Sequence, residues 1–338
     1  MATSLGAAGV SASVQLVSAA EIGEARARLR RVAVRTPLLP SPELSELTGA
    51  EVRLKCESLQ LGGAFKIRGA FNFLSQLDAR VLARGVVTYS SGNHALGVAH
   101  AARLLDVGVV AVMPLTAPTI KQAGVRALGA EVILEGYTSV ERRARAEAIA
   151  EATGRIIVPG FDDRRIVAGQ GTIGLEIVEE WPDVDTVIVP CGGGGLVSGI
   201  AVAVRSSRPD ARLVAVEPAV VPSMTTALTA GAPVLLNGVR TIADGLGAVR
   251  VSDLTLAHVR AMVRDVITVE EEALRAATAW LFLREKLVVE FSGAAGVAAL
   301  LSGGVDTIGR RIAVVLSGGN IDPTAIRELF SATEPVSP

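Results

Sequence analysis

Lys66 occupies a setting that is unusual for a surface lysine. Gly62 and Gly63 lie just before it, and an apolar pattern with helical spacing follows it through Ala70. A lysine that attacks a carbonyl must be neutral, and removal from bulk water lowers the pKa of its ammonium group. The alternative is an ordinary lysine in the first turn of a helix. Three motifs farther along the chain favour the chemical interpretation.

The first motif is a run of small and polar residues, Ser90-Ser91-Gly92-Asn93-His94, between a predicted strand and a predicted helix. A helix N-terminus offers free N–H groups and a positive dipole end, which can hold a carboxylate. The two serine hydroxyls would add to this cradle. A serine pair can also serve only as a helix N-cap, but the run is longer than capping requires. We therefore interpret it as a substrate-binding segment.

The second motif is a set of four consecutive glycines, Gly192-Gly193-Gly194-Gly195, after a predicted strand. Such a loop exposes backbone N–H groups that can bind a phosphate. It lacks a Gly-Lys-Ser/Thr ending and is therefore not a P-loop. Gly192, Gly194 and the later acidic Glu217 match part of a dinucleotide-binding pattern. A nucleotide site and a plain glycine-rich turn both stay open as alternatives.

The third motif, Ser317-Gly318-Gly319-Asn320, ends another predicted strand and brings one hydroxyl into an otherwise apolar wall. Taken alone, it would predict only a turn. A further segment, residues 241–247, is a polar loop whose glycines predict a backbone that closes over a ligand.

The elements that must position these motifs follow an alternating pattern. Short β-branched runs alternate with helical patterns from Val52 onward, which predicts an α/β protein with parallel sheets. The composition agrees, since 50% of the residues are hydrophobic and 35 are glycine. In open α/β sheets ligands bind at the carboxyl ends of strands, where these motifs lie. The predicted strands are 86–90, 107–113, 131–134, 155–158, 186–190, 213–217, 265–269 and 311–316.

We expect two open parallel-sheet α/β units with a soft boundary between them. Residues 1–50 would contribute a tail and a helix near 19–31 that packs on the larger unit. Residues 51–155 would form the small unit. Residues 156–338 would form the large unit, which carries the glycine loop.

Charge and composition exclude several classes of function. The net charge of −1 provides no field for nucleic acid or an anionic membrane, and a mixed-sign run at 141–147 predicts a solvated helix face. Cys56 and Cys191 cannot build a disulfide scaffold, and no cluster has zinc spacing. No apolar run could span a bilayer, and residues 1–18 lack the basic residues of a targeting signal. We expect a cytoplasmic protein that acts on a small molecule.

A desolvated lysine, a phosphate nest and a lone hydroxyl match the needs of pyridoxal 5'-phosphate. These needs are a Schiff-base anchor, a phosphate cup and a partner for the ring nitrogen. Motifs 64–70, 90–94, 168–172, 192–195 and 317–320 occur in this order. In these motifs the chain resembles the threonine/serine dehydratase family, which includes the serine racemases. The resemblance covers most of the chain and implies the tryptophan synthase β-like fold (fold type II) with pyridoxal phosphate as cofactor.

The resemblance implies a role for each motif residue. Lys66 would hold the cofactor aldehyde and then abstract the substrate Cα proton, and Ser91 would be a second catalytic residue on the opposite face. Ser317 would face the pyridine nitrogen and leave it largely neutral, which favours elimination over transamination. The other cofactor contacts would be Phe65, Asn93, Gly192, Gly193, Gly194, Gly195, Gly245 and Glu290. The substrate contacts would be Ser90, Ser91, Gly92, Asn93 and His94.

The implied activity is that of an ammonia-lyase (dehydratase) that converts a β-hydroxy amino acid, such as L-threonine or L-serine, to a 2-oxo acid and ammonia. Serine racemisation, with Ser91 as the proton donor, is the first alternative. A β-replacement enzyme of the same fold is another, although cysteine synthases usually carry Thr-Ser-Gly-Asn-Thr at 90–94. A non-catalytic nucleotide-binding regulator built on the glycine loop is a distant alternative. The resemblance also implies a homodimer.

Departures from the family pattern qualify these expectations. Racemase-like members bind a divalent cation through a Glu and an Asp six residues later. Here Glu217 is present but Ser223 occupies the second position, so a divalent cation, a monovalent cation or none remains open. Tyr89 replaces a histidine that is frequent in members acting on hydroxyaspartate, which predicts a substrate without an acidic side chain. The chain ends soon after Asn320, which predicts no feedback by isoleucine.

Overall fold

The computed structural model describes residues 14–90 and 92–331 of the chain. Its strands form one six-stranded and one four-stranded sheet. In chain order the strands are β1 (Leu38–Pro40), β2 (Glu51–Cys56), β3 (Val86–Tyr89), β4 (Val109–Met113), β5 (Glu131–Leu134), β6 (Ile156–Ile157), β7 (Thr186–Pro190), β8 (Arg212–Pro218), β9 (Asp265–Val269) and β10 (Arg311–Leu316).

Both sheets are parallel except at one edge. The six-stranded sheet has the order β1-β2-β10-β7-β8-β9, and only β1 runs antiparallel to its neighbour. The four-stranded sheet has the order β5-β4-β3-β6 and is parallel throughout. Parallel strands covered on both faces read as continuous apolar runs, and β4 is buried at every position. The predicted α/β class with two open parallel sheets is confirmed.

Helices connect the strands and cover the sheets. Among the described residues, none of them has the length and apolar composition needed to cross a bilayer. In chain order the helices are α1 (Ala19–Leu29), α2 (Pro42–Thr48), α3 (Lys66–Leu74), α4 (Ala79–Leu82), α5 (Asn93–Leu104), α6 (Thr119–Ala127), α7 (Ser139–Thr153), α8 (Arg164–Glu180), α9 (Gly195–Ser207), α10 (Ser223–Ala230), α11 (Asp253–Met262), α12 (Glu271–Trp280), α13 (Phe291–Leu301) and α14 (Pro323–Ser331).

Each sheet separates two apolar cores, because successive side chains of a strand point to opposite faces. In β10, Val314 packs in the core shared with α12 and α13, whereas Val315 packs in the core shared with α8 and α9. In β4, Ala111 faces α3 and α5, and Val112 faces α7. The loops at the carboxyl ends therefore follow strands that helices hold in place on both faces of the sheet.

Two strands lie in a different sheet from the one that the predicted boundaries imply. β2 falls within residues 51–155, yet it pairs with β10 in the six-stranded sheet. β6 falls within residues 156–338, yet it pairs with β3 in the four-stranded sheet. The local apolar pattern identifies a strand but carries no information about a partner that is distant along the chain. The boundaries are corrected at these two strands.

The helix predicted near residues 19–31 is α1, and it packs on the helices beneath the large sheet. Ile22 and Ala25 on its buried face join Val167 of α8 and Ala203 of α9 in one apolar cluster. A capping box fixes the start of α1. In it, the Ser18 side chain accepts a hydrogen bond from the backbone N–H of Glu21.

Candidate active site

One cavity lies where the carboxyl ends of strands from both sheets face each other. It is lined by loops and by the first turns of helices, as expected for an open α/β sheet. Most of the residues that the sequence motifs predicted lie in its wall. They are Phe65, Lys66, Ser90, Asn93, His94, Gly192, Gly193, Gly194, Gly195, Gly245, Glu290 and Ser317.

Lys66 begins α3 and points into this cavity. Its Nζ donates a hydrogen bond to the carbonyl oxygen of Gly160 at 3.0 Å and lies 5.0 Å from the centre of the Phe65 ring. Burial lowers the pKa of Lys66 to about 8, and the negative charge of Glu290 opposes this shift. A substantial fraction of the Lys66 side chain is therefore neutral near physiological pH, which nucleophilic attack on a carbonyl requires.

The backbone around Lys66 is attached to the end of β10. The Phe65 N–H donates to the Ser317 carbonyl oxygen at 3.2 Å, and Ala64 forms an isolated antiparallel bridge with Gly318. The Gly319 N–H donates in turn to the Gly63 carbonyl oxygen at 2.8 Å. This pairing places the Lys66 and Ser317 side chains in the wall of the same cavity.

The glycine loop connects β7 to α9 in a space where side chains do not fit. A Cβ atom on Gly193 would lie 2.3 Å from the Phe161 ring, and one on Gly195 would lie 2.9 Å from the Phe161 Cβ. Gly194 has a φ of +88°, which L residues with a side chain rarely adopt. The backbone N–H groups here, at the N-terminus of α9, form a surface suited to a phosphate.

Asn93 and Glu290 belong to a polar cluster at one side of the cavity. The Asn93 Nδ2 donates to a Glu290 carboxylate oxygen, and the Asn93 Oδ1 accepts from Asn320 Nδ2 at 3.0 Å. Burial raises the pKa of Glu290, and the ammonium of Lys121 opposes this shift. Lys121 Nζ lies 3.2 Å from Glu290 and 2.7 Å from Asp244. The sequence motifs did not include Lys121.

His94 is a neutral, buried imidazole in the cavity wall. Its Nε2 lies 3.1 Å from the Val158 carbonyl oxygen, which can only accept, so Nε2 carries the hydrogen. Its Nδ1 is buried and has no partner among the described residues. Burial, together with the positive charge of Lys66, lowers the pKa of His94 to about 3. His94 therefore presents an acceptor, and not a positive charge, at neutral pH.

The structure describes Ser90 and Gly92 of the 90–94 segment but not Ser91. Ser91, proposed from the sequence as a second catalytic residue, lies outside the described residues, and its role stays a prediction. The Gly92 N–H donates to the Ser90 Oγ at 3.1 Å, and a Cβ on Gly92 would meet the Lys121 side chain at 2.2 Å. Glycine at position 92 therefore leaves room for Lys121.

Glu217, the candidate cation ligand, caps a helix. It is buried, and its two carboxylate oxygens accept from the backbone N–H groups of Met224 and Thr225, both at 2.9 Å. These are first-turn amides of α10, where a carboxylate is favoured. Within residues 14–90 and 92–331, no group of three His, Cys, Asp or Glu side chains is placed to hold a metal ion. A cation at Glu217 stays a prediction.

Arg142 and Phe161 also line the cavity, and the sequence motifs identified neither. The run at 141–147 was expected to be a solvated helix face, and for Arg142 this expectation is wrong because its side chain is buried. Its neighbour Arg143 is 62% exposed and pairs with Glu147. One helix thus carries a solvated face and, one residue away, a cationic group in the cavity.

The residues present fit pyridoxal phosphate on the structure's own evidence. A buried lysine with a lowered pKa provides the anchor. A loop that excludes side chains provides backbone amides for the phosphate. The hydroxyl of Ser317, in the same wall, provides a partner for the ring nitrogen.

Known proteins are similar to this chain in sequence and in fold. The family model described as "Pyridoxal-phosphate dependent enzyme" matches residues 29–318. The L-threonine ammonia-lyase of Thermotoga maritima is 43% identical, over 94% of this chain and 79% of that protein. The serine racemase of Arabidopsis thaliana is 39% identical, over 93% of this chain and 96% of that protein. The solved structure of maize serine racemase superposes with a TM-score of 0.89 at 37% identity, over 93% of this chain and 97% of that one. With this cavity and these relatives, the chain belongs to the family of pyridoxal-phosphate dependent enzymes.

Proposed function

We propose that this protein is an ammonia-lyase that converts a β-hydroxy amino acid, such as L-threonine or L-serine, into a 2-oxo acid and ammonia. One observation carries the proposal. Lys66, with a pKa that burial lowers to about 8, lines the same cavity as the glycine loop and Ser317. Relatives of 43% and 44% identity that are named L-threonine ammonia-lyase support the same activity.

The cavity residues would hold the cofactor at each of its polar groups. Bound pyridoxal phosphate supplies an electron-withdrawing ring that acidifies the Cα proton of an attached amino acid. Lys66 would anchor it, the amides of residues 192–195 would hold its phosphate, and Ser317 would face the ring nitrogen. Asn93 would hydrogen-bond the ring oxygen, with Phe65, Gly245 and Glu290 alongside.

The chain's own groups then bind the substrate and move its proton. The first-turn amides of α5, at Asn93 and His94, would bind the α-carboxylate. The neutral Nζ of Lys66 accepts the Cα proton. Because Ser317 carries a hydroxyl and not a carboxylate, it does not hold a proton on the ring nitrogen, which favours departure of the β-hydroxyl. The bond from Cβ to the hydroxyl oxygen breaks and the hydroxyl leaves as water, with a proton that balances the one removed from Cα. The released enamine takes up water and gives the 2-oxo acid and ammonia.

Serine racemisation is the second candidate, since relatives of 39% and 40% identity are named serine racemase. It would need a proton donor on the face opposite Lys66, the role predicted for Ser91. Chiral analysis of L-serine after incubation separates the two reactions, because D-serine forms only in the second.

The proposal includes the setting that the resemblance implies, a homodimer in the cytoplasm that acts on a free amino acid without nucleic acid or membrane. The near-neutral net charge supports the last two points. Sedimentation velocity of the purified protein tests the dimer, and a monomer at micromolar concentration would contradict it.

The decisive experiment combines covalent trapping with turnover. Borohydride reduction of the protein loaded with pyridoxal phosphate, followed by peptide mass spectrometry, should place the pyridoxyl group on Lys66. The same preparation should form 2-oxo acid from L-threonine or L-serine, and Lys66→Ala should do neither. Trapping at Lys66 without any 2-oxo acid would remove the lyase proposal and leave the cofactor site. Absence of trapping would favour the nucleotide-binding alternative.

A further inference from the structure

A backbone amide just before α1 donates to a buried histidine. The N–H of Val17 donates to Nε2 of His258, on α11, at 2.9 Å. The other ring nitrogen, Nδ1, lies 2.7 Å from the Leu254 carbonyl oxygen, which can only accept, so Nδ1 carries the hydrogen. Nε2 therefore accepts through its lone pair, and the neutral imidazole uses both of its nitrogens. His258 is fully buried and does not line the candidate active site.

This contact fastens the segment before α1 to the helices of the large sheet. Val17 is buried in the apolar cluster that α1 forms with α8 and α9. Ile22 of the same cluster packs so closely on α8 that a Cβ on Gly171 would lie 2.6 Å from its Cδ1. Residues 14–18 and His258, which we call the N-terminal latch, therefore hold α1 against α8 and α9.

The surroundings of His258 favour its neutral form. Burial lowers the pKa of His258, the hydrogen bond to the Leu254 carbonyl oxygen opposes this, the charge of Arg164 on α8 adds to the lowering, and the charge of Glu21 on α1 opposes it. Arg164 pairs with Glu21 at 2.7 Å and donates to the Gln15 carbonyl oxygen, so it also holds the latch. The side chains that α9 contributes to this cluster are apolar.

A proton on Nε2 is incompatible with the docked latch. The Val17 N–H would then face a second N–H group, and neither can accept, so the hydrogen bond would be lost and two partial positive charges would meet. A buried imidazolium is also poorly solvated, whereas a released one is hydrated. We propose that the N-terminal latch responds to acid, in that protonation of His258 releases residues 14–18 and loosens α1 from α8 and α9.

The direction of the response follows from proton linkage. The docked latch lowers the pKa of His258 below its ordinary value of 6.5, so the released latch binds the proton more tightly. Docking is therefore strongest above that value and weakens as the pH falls below it. Burial raises the pKa of Glu21, but hydrogen bonds with Ser18 and the charge of Arg164 lower it overall, below its ordinary value of 4.5. Glu21 thus keeps its charge while His258 titrates.

Hydrogen–deuterium exchange of the full chain loaded with pyridoxal phosphate measures the release. Between pH 7.5 and pH 5.5 the ratio of docked to released latch should fall by about 3- to 10-fold. The protection factor of residues 14–29, corrected for the pH dependence of the exchange chemistry and read by peptide mass spectrometry, should fall by the same factor. Peptides of the buried strand β4 are the internal reference and should not change.

Two variants of His258 separate the acceptor from its titration. His258→Gln offers a side-chain oxygen that accepts without titrating, so its protection should be equal at the two pH values. His258→Leu fills the same space without an acceptor, so its protection should be low at both. His100→Gln is the matched control, because His100 lies on α5, away from the latch, and burial also lowers its pKa. It should keep the response of the wild type.

Three results would overturn the inference. Protection of residues 14–29 that does not change with pH in the wild type would show that the latch does not sense acid. A response that persists in His258→Gln would assign the effect to another group. Wild-type protection in His258→Leu at the higher pH would show that the bond between Val17 and His258 does not hold the segment. None of these results bears on the lyase proposal, on which the latch does not depend.

Discussion

At the scale of single residues, two effects act on the pKa of Lys66 in opposite directions. Burial lowers the pKa of its ammonium, and the carboxylate of Glu290 raises it, with burial the larger effect. Glu290 is itself held by Lys121 and Asn93. The protonation of Lys66 therefore depends on a cluster that makes no hydrogen bond to Lys66 among the described residues.

This balance predicts the pH dependence of cofactor loading. Only the neutral amine attacks an aldehyde, so the loading rate of cofactor-free protein should rise with pH, with a midpoint near pH 8. Glu290→Gln removes the charge that favours the ammonium, so its midpoint should be lower. Absorbance after mixing with pyridoxal phosphate measures the rate, and Lys66→Ala is the blank. A midpoint at the usual lysine pKa would contradict the burial of Lys66.

Site residues could be predicted from the sequence where their immediate neighbours in the chain mark them. Lys66, Ser317 and the residues 192–195 are recognisable because glycines or strand ends flank them, and the structure places all of them in one cavity. Arg142 could not be identified, because its sequence neighbours are the charges of a solvated helix. Which face of α7 turns toward the cavity depends on how the helix packs on β3, and local sequence does not contain that information.

At the scale of elements, the glycine loop is shaped by the aromatic ring packed against it. Phe161 follows β6 of the small sheet, while the loop follows β7 of the large one. Because residues 192–195 have no side chains, Phe161, which follows a strand of the small sheet, packs directly against the backbone of a loop that follows a strand of the large sheet. The same packing orients the amides at the start of α9.

The contact predicts that Gly193→Ala weakens cofactor binding. The new Cβ would lie 2.3 Å from the Phe161 ring, and displacement of the ring or the loop should reduce affinity at least about tenfold. Fluorescence titration of the cofactor-free protein with pyridoxal phosphate measures this. Gly108→Ala is the matched control, since a Cβ there meets nothing within 4 Å. Equal affinities of the two variants would show that the loop adjusts freely.

Element boundaries were predictable where caps mark them. The start of α7 carries the Thr138–Glu141 capping box, and its end is followed by Gly154 in the left-handed conformation, so local sequence marks both boundaries of this helix. In contrast, α13 was not predicted. Ten of its residues are buried, so it is apolar all round and shows no amphipathic period to detect.

At the scale of the whole molecule, Lys121 links the part of the chain around the small sheet to the part around the large sheet through salt bridges. It lies on α6, which packs on the four-stranded sheet, and its ammonium pairs with Asp244 and Glu290 from loops of the large sheet. This cation lies between the two carboxylates and reduces their mutual repulsion. Burial alone would lower the pKa of Lys121, but the charges of Glu290 and Asp244 raise it above its usual value, so the ammonium stays charged at every physiological pH.

Removal of this cation should therefore destabilise the fold. Lys121→Met leaves Glu290 buried without its partner and should lower the free energy of unfolding by about 3–5 kcal/mol. Urea denaturation measures the change. Arg126→Met, an exposed substitution on the same helix, should stay within about 0.5 kcal/mol of the wild type. A loss for Lys121→Met no larger than that of the control would show that the acids find other compensation.

The isolated antiparallel bridge between Ala64 and Gly318 limits how far Lys66 can move away from the large sheet. Lys66 begins a helix that packs with the small sheet, yet the backbone just before it pairs with the residues that follow β10 of the large sheet. If the small sheet moves relative to the large one, this pairing would keep Lys66 close to Ser317.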